Sequence, residues 1–434
     1  MKLPGGKLRV SVVGLGKIGL PLAIQFAING HHVIGVDINP ETVESINSSI
    51  APFPGEKDLD VFLASTLSSG LFSATTDFSN AISNSEVVIV VVPLFIGKNG
   101  ALDFDSIDLA TSEISRYIRK GTLVSYETTL PVGTTRKRFA MLLEEGSGLI
   151  AGHDFFLVFS PERVLSGRVF SDLKQYPKLL GGINEISARK GVEFYSKALT
   201  FEDQPQLRRE NGVWDLGSCE AAELAKLAET TYRDVNIALV NQFAKFATKN
   251  AIDIYQVIEA CNSQPYSHLH QPGIAVGGHC IPIYPQMYLL NDPEAEIVRV
   301  SRITNRDMPN FAIDFLESCH GNLKGQKVVI LGASYRGGVK ETAFSGVFSI
   351  AEALNSKGAS VFVHDPLYTV SELRDLGFTP YMIGQEIDAA VLHSNHSSYL
   401  DLTPNHLPHI RTLLDGRNFL NPKLWESVNL IRLG

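Results

Sequence analysis

Residues 8–37 carry the pattern that leaves this chain the fewest options. Leu8 to Val13 is a β-rich apolar run, Gly14-Leu-Gly16-Lys17-Ile18-Gly19-Leu-Pro-Leu-Ala follows and opens a helix, and a second apolar run, Val33 to Val36, ends in Asp37. Strand, Gly-x-Gly-x-x-Gly, helix, strand and an acid about twenty residues on form the fingerprint of a dinucleotide-binding βαβ unit. Gly14 permits the tight turn, Gly16 lets the backbone approach a pyrophosphate, and Gly19 lets helix and strand pack closely. The helix N-terminus faces the phosphates. Asp37 accepts from the adenosine ribose hydroxyls and would repel a 2′-phosphate, so NAD is favoured over NADP. The alternative for the glycines alone is a turn in some other α/β protein.

The sheet continues through Glu86-Val-Val-Ile-Val-Val-Val-Pro93, an unbroken run of the kind buried on both faces of a parallel sheet, with Pro93 at its end beside the cofactor crevice. Thr122-Leu-Val-Ser-Tyr-Glu127-Thr-Thr129-Leu-Pro-Val-Gly-Thr134 is a further strand and its turn. Glu127 and Thr129 either touch the nicotinamide side or belong to a plain strand-to-helix turn capped by Thr134. Phe155 to Phe159 runs into Ser160-Pro-Glu162-Arg163, where a carboxylate beside a Pro-ordered turn is an acid/base candidate or a solvated surface residue.

From Ser218 the texture changes. Cys219 to about Lys249 reads as one helix without Gly or Pro, long enough to suggest a subunit interface. Steps of three or four put Lys226, Thr230 and Arg233 on one face, with Asn236 continuing along it. Lys226 by itself is equally an ordinary exposed helix lysine. A second helix, Ile252 to Asn262, leads into Pro272-Gly-Ile-Ala-Val-Gly277-Gly-His279-Cys280-Ile-Pro-Ile-Tyr-Pro285. Two glycines and a histidine before a thiol, and prolines after it, describe a presented nucleophile or a structural cysteine in a turn. Lys327-Val-Val-Ile-Leu-Gly-Ala-Ser-Tyr335-Arg336 starts a second strand-and-helix unit without the Gly-x-Gly-x-x-Gly spacing. A nucleotide other than a dinucleotide fits better there, with Arg336 either facing its phosphates or lying on the surface.

The fold class expected is α/β: two Rossmann-like doubly wound domains joined by a helical segment with a long dimerisation helix. The boundaries expected are 1–212 for the NAD-binding domain, 213–310 for the central helical domain with the cysteine loop, and 311–434 for a nucleotide-binding domain. A chain of 434 residues is too long for one core. Its net charge of −8 gives no basic footprint for nucleic acid. The four cysteines are scattered, with no Cys-x-x-Cys and no His at metal spacing, so no metal is expected. No run reaches membrane-spanning length and the N-terminus has no export pattern, so a cytoplasmic protein with reduced thiols is expected.

Several of these strings together resemble the UDP-glucose/GDP-mannose dehydrogenase superfamily nearly end to end. They are Gly14-Leu-Gly-Lys-Ile-Gly-Leu-Pro21, Glu127-Thr-Thr-Leu-Pro-Val-Gly-Thr-Thr135, Ser160-Pro-Glu-Arg163, Glu223-Leu-Ala-Lys-Leu-Ala-Glu-Thr-Thr-Tyr-Arg-Asp-Val-Asn236, Gly277-Gly-His-Cys-Ile-Pro282 and His364-Asp-Pro366. The Tyr-Arg-Asp-Val-Asn and Gly-Gly-His-Cys-Ile-Pro strings resemble the branch acting on UDP-N-acetylhexosamines, the manno or gluco sugar. The resemblance implies four-electron oxidation of the sugar C6 alcohol to a carboxylate by two NAD, in a homodimer built on the long helix. Polysaccharide biosynthesis is the implied setting. It also implies a Cys280 thiohemiacetal and then a thioester, Lys226 at the oxyanion, Glu162 handling protons or water, and Thr230 at a further catalytic position. Glu162, Arg163, Lys226, Arg233, Asn236, Gly277, His279, Tyr335 and Arg336 are implied at the sugar nucleotide. The chain departs from the pattern at Thr230 (usually Asn), Tyr284 (usually Asp) and Ala343 (usually Arg). The alternatives are the same chemistry on UDP-glucose or an atypical nucleotide sugar, a two-electron enzyme releasing the aldehyde, and a non-catalytic nucleotide-sugar-binding homologue.

Overall fold

The computed structural model describes residues 7–97 and 101–434; the first six residues of the N-terminal segment read for an export pattern lie outside them. The chain divides into two compact units, Met1–Leu227 and Ala228–Gly434. The expected central segment, 213–310, is therefore shared between them.

The first unit is built on strands β1 (Arg9–Val13), β2 (His32–Val36), β3 (Phe72–Thr75), β4 (Val87–Val90), a short ribbon of β5 (Phe95–Ile96) and β6 (Leu102–Asp103), then β7 (Leu123–Tyr126), β8 (Phe156–Phe159), β9 (Lys178–Gly182) and β10 (Val213–Asp215). The eight-stranded sheet runs β10-β9-β8-β7-β4-β1-β2-β3. Its pairings are parallel except β8 with β9. The inner order β3-β2-β1-β4-β7-β8 is that of a Rossmann sheet, as expected. Strand residues alternate between two apolar clusters: Val10, Val12, Val87 and Ile89 join Leu20, Ile24 and Phe26 on one face, while Val13, Val88 and Val90 join Ile107, Ile114 and Phe139 on the other. Each such buried aliphatic contributes about 1.5–3 kcal/mol relative to exposure. Strand β4 stops at Val90 rather than running to Pro93, because β1 ends opposite it at Val13.

The second unit holds strands β11 (Lys327–Leu331), β12 (Ser360–His364), β13 (Ala389–Leu392), β14 (Thr412–Asp415) and β15 (Asn429–Arg432), all parallel, in the order β12-β11-β13-β14-β15. This is the other common doubly wound order. The helix starting at Val347 comes well after β11, so no helix N-terminus sits directly at the first turn. The long helix is continuous from Cys219 to Lys249. The next helix begins at Ile254, two residues later than expected, because the Asp253 carboxylate caps it by accepting from the N–H groups of Tyr255 and Gln256.

A polar lock ties the helix Glu296–His320 to the long helix. Asp234 accepts from Arg302 Nη1 at 2.6 Å and from Asn305 Nδ2 at 2.8 Å, and Asn305 Oδ1 accepts from Asn241 Nδ2 at 2.9 Å. Asn241 Oδ1 in turn accepts from the Gly273 N–H at 3.0 Å, where the cysteine loop begins.

In the first unit, buried Glu223 accepts from the N–H groups of Gly133 at 2.5 Å and Thr135 at 2.8 Å, and from the Thr135 hydroxyl at 2.7 Å. It thus closes the turn after β7. Burial pushes its carboxyl from 4.5 up to about 7 despite these donors. A raised folded-state value means the native protein holds the proton more tightly, so this group's contribution to stability falls as pH rises from 4.5 to about 7. Glu223→Gln removes that dependence. Melting followed from pH ~5 to ~7.5 should show the gap between native protein and variant narrowing by a few degrees as pH rises.

Candidate functional site

The fingerprint turn is set by backbone geometry. Gly14 has φ +93° and donates its N–H to Val36 O at 2.8 Å. A Cβ on Gly19 would lie 1.8 Å from Gly14 O, so the helix Gly19–Ile28 can start there only without a side chain. A Cβ on Gly16 would meet nothing within 4 Å, which leaves open room above the turn for a phosphate. Lys17 is exposed and Ile18 half-buried in the same turn. Asp37, half-buried at the end of β2, accepts from the Leu15 N–H at 2.9 Å and from the Asn39 N–H at 3.0 Å. Each oxygen keeps a second lone pair for a ribose hydroxyl. Pro93 is exposed just past β4, and Thr129 is buried just past β7. The Thr128 hydroxyl donates to Val92 O at 2.6 Å, joining the two strand-end turns. The residues of this crevice fit a dinucleotide.

Next to it, the loop after β8 and the first residue of β9 bring three charges together. Lys178 Nζ donates to Glu127 Oε2 at 2.5 Å and to Glu162 Oε1. Tyr195 Oη donates to Glu127 Oε1 at 2.5 Å and sits 2.7 Å from Ser125 Oγ. Glu127 and Lys178 are buried, whereas the Glu162 side chain remains 10% exposed. Burial raises the Glu127 carboxyl above the usual range. Burial acts on Glu162 in the same sense, but Lys178, with a smaller contribution from Lys226, brings it below the usual value. Glu162 is thus not a solvated surface residue. Lys226 is buried too, as is Thr230 one turn further along the helix, so neither lies on an exposed helix face. Glu127 is engaged by Lys178 and Tyr195. Arg163 is half-buried, with Nη1 3.4 Å from Pro177 O.

In the second unit the cysteine loop is shaped by Tyr335. A Cβ on Gly277 would lie 2.7 Å from Tyr335 Cβ, and one on Gly278, at φ +89°, would lie 2.9 Å from the ring. Cys280 follows as a half-buried free thiol, and its carbonyl accepts from the Tyr284 N–H at 2.9 Å at the start of the helix Tyr284–Asn291. His279 is 60% exposed, with Nε2 3.6 Å from Glu341. Arg336 Nε donates to Tyr335 Oη at 3.1 Å, which fixes the guanidinium beside the ring. Arg233 is half-buried, and its Nε finds no acceptor among the described residues. Asn236 is committed differently from expectation: Nδ2 donates to His268 O at 2.7 Å and Oδ1 accepts from the His270 N–H at 2.9 Å. Its side chain holds the approach to the cysteine loop.

Four residues of these sites have roles that the sequence did not reveal. Asp365, at the end of β12, accepts from the N–H groups of Ala333 at 2.8 Å and Ser334 at 3.0 Å, the same latch that Asp37 makes. Its place at a second strand's end was the available signal. Arg417, half-buried, donates through Nε to His393 O at 2.6 Å and through Nη2 to Tyr335 O at 3.3 Å, and desolvation lowers its pKa to about 10. A Gly-Arg-Asn loop gives no hint of that. Lys178 had a weak signal, a lysine opening the apolar run Lys-Leu-Leu-Gly-Gly; Tyr195 had none.

Three domain models of the UDP-glucose/GDP-mannose dehydrogenase family match the chain: the NAD binding domain over residues 8–199, the central domain over 220–306 and the UDP binding domain over 329–422. A UDP-N-acetyl-D-mannosamine dehydrogenase of Pyrococcus horikoshii is 33% identical over 422 residues, 95% of this chain and 96% of the relative. The solved structure of a UDP-D-ManNAc dehydrogenase from Pyrococcus horikoshii superposes with TM-score 0.88 at 30% identity, covering 98% of this chain and 99% of that one. A UDP-N-acetyl-mannosamine dehydrogenase from S. aureus does so with TM-score 0.82 at 30% identity, covering 98% of each. No helix of the described residues is long and apolar enough to cross a membrane.

Replacing Asp37 by Ala removes both the latch on Leu15 and the ribose acceptor. NAD affinity measured by calorimetric titration should fall about tenfold or more, at roughly 1.4 kcal/mol per decade, and NADP should bind no worse than before.

Proposed function

The chain belongs to the UDP-glucose/GDP-mannose dehydrogenase family, and we propose that it oxidises C6 of a UDP-N-acetylhexosamine, UDP-N-acetylmannosamine first, to the uronic acid. The choice of sugar rests on the likeness to the mannosamine dehydrogenases. The observation that carries the chemistry is Cys280, a free and partly exposed thiol held by a loop whose glycines leave no room for side chains against Tyr335. Bound NAD supplies the hydride acceptor, used twice per sugar. The Gly14–Gly19 turn and Asp37 hold it.

Cys280 as thiolate adds to the C6 aldehyde from the first oxidation, forming a carbon–sulfur bond and a thiohemiacetal. In its oxyanion form, the hydroxyl proton having gone to water, this adduct gives up hydride from the same carbon to the second NAD and leaves a thioester. Water then bonds to the thioester carbon, its proton passes to Glu162, and the carbon–sulfur bond breaks to return the thiolate. Lys226 offers positive charge to the oxyanion of each adduct, and the buried Thr230 hydroxyl supports it from the next turn. Tyr335, Arg336 and Arg233 take the nucleotide, with Arg163 at the sugar.

The long helix also carries exposed Leu239, Phe243 and Phe246 at steps of four and three, and the helix Glu296–His320 carries exposed Ile297, Val300 and Ile303. A second copy of the chain is the occupant proposed for these stripes. Four free thiols suit the reducing cytoplasm.

The test is the yield of NADH per sugar at completion with UDP-N-acetylmannosamine, UDP-N-acetylglucosamine and UDP-glucose, with Cys280→Ser alongside. Two per sugar on an N-acetylated substrate, stalled by the variant, is expected. One per sugar would make it an aldehyde-releasing enzyme, and none with any of the three would leave a binding protein. Phe243→Asp combined with Phe246→Asp should convert a dimer to a monomer in size-exclusion chromatography with light scattering; an unchanged mass would place the subunit contact elsewhere.

A further inference from the structure

Lys178 has no part in the chemistry above, yet it pairs with both Glu127 and Glu162. Of its three N–H groups, one meets Glu127 at 2.5 Å and one meets Glu162. The ammonium also lies 5.0 Å from the centre of the Tyr195 ring. Little of it is left for a substrate. Glu127 is fixed from behind by Tyr195, which is in turn hydrogen-bonded to Ser125, and these three side chains and Lys178 are buried. Glu162 alone of the cluster reaches the surface, beside a recess of about 10 Å³ lined by Glu162, Arg163, Asp172 and Lys178 among others. That volume is about the space of one water.

Two carboxylates and one ammonium are a costly set to bury. Replacement by apolar side chains of the same volume is as stable or more so, which makes a purely structural role a weak reason for the cluster. We infer that Lys178 and Glu127 are positioning residues for Glu162: the ammonium keeps that carboxylate ionised and aimed at the recess, and the second carboxylate holds the ammonium in place. The inference rests on the reading of Glu162 as the acceptor of the water's proton. The groups facing Glu162 are Lys178 from β9, Glu127 from the end of β7 and the charge of Lys226 from the long helix. Burial raises the inner carboxyl, Glu127, whereas Lys178 brings Glu162 below the usual value, so of the two it is Glu162 that holds its charge to lower pH.

The experiment is the pH profile of turnover for Lys178→Met, Lys178→Arg, the pair Lys178→Met with Glu127→Gln, and Glu162→Gln. Without the ammonium, Glu162 loses its counter-charge in a dry setting, so the acid limb of kcat should move up by about one unit or more. On that limb turnover should fall about tenfold for each pH unit the limb moves and recover as pH rises, with KM little changed. Lys178→Arg should bring the limb back toward its native position. The paired variant removes the ammonium together with the carboxyl it faces and so keeps the fold in reach if Lys178→Met does not fold; its limb should be raised as well. A limb that stays put in the variants lacking Lys178, with only melting affected, would reduce the cluster to a structural one and overturn the inference. So would a raised KM at constant kcat, which would make Lys178 a substrate contact. Glu162→Gln separates the two readings: if it keeps full turnover, the role of Glu162 itself is wrong, whereas its loss together with an unmoved Lys178→Met limb defeats only the positioning claim.

Discussion

A carboxylate at the end of the second strand, bonded to the backbone of the first turn, is the contact on which both nucleotide folds rely. Asp37 holds the Leu15 N–H and Asp365 holds those of Ala333 and Ser334. A charged acceptor on a backbone donor contributes about 1.5–3 kcal/mol. Its larger effect is geometric, because it fixes where the chain leaves the sheet. In the first unit that exit leads at once through Gly14 and Gly19 into a helix whose N-terminus is an anion site. In the second unit the same latch leads into a longer excursion, residues 332–346, which brings Tyr335 against the glycines of the cysteine loop. One device thus serves a dinucleotide turn in one sheet and the cysteine loop in the other.

The chain as a whole repels its ligands. A net charge of −8 works against a cofactor and a substrate that both carry phosphates, so attraction has to be local. On the proposed reading Lys226, Arg233 and Arg336 supply it; Lys226 is buried and Arg336 is held beside the Tyr335 ring. Glu162 is the exception, a largely buried carboxylate whose proposed role needs it ionised and which Lys178 brings below the usual value. Lys178 makes that affordable.

Much of the fold was legible because its signals are local in the chain. The glycine spacing, the apolar strands and the Gly-free helix from Cys219 to Lys249 each follow from backbone sterics or periodicity within a single element. The Gly277-Gly-His-Cys280 loop was legible for the same reason. What the chain in isolation hid were partners far apart in sequence. Lys178 and Tyr195 reach Glu127 across 51 and 68 positions, and Arg417 reaches Tyr335 across 82. Burial, too, reversed the ordinary expectation for Glu162 and Lys226, since a charged side chain is assumed solvated until a counter-charge is seen beside it. Asn236 shows the opposite case: its place on the helix suggested a ligand contact, and its amide is engaged with the His268–His270 backbone.

The account stands or falls on whether the sugar is ever bound to the protein through sulfur. Glu162→Gln, supplied with NAD and UDP-N-acetylmannosamine and quenched in acid, should accumulate a Cys280 peptide whose mass in tandem mass spectrometry carries the uronyl group as a thioester. A Cys280 peptide that stays unmodified in the variant while free uronic acid is still formed would contradict covalent catalysis on this loop.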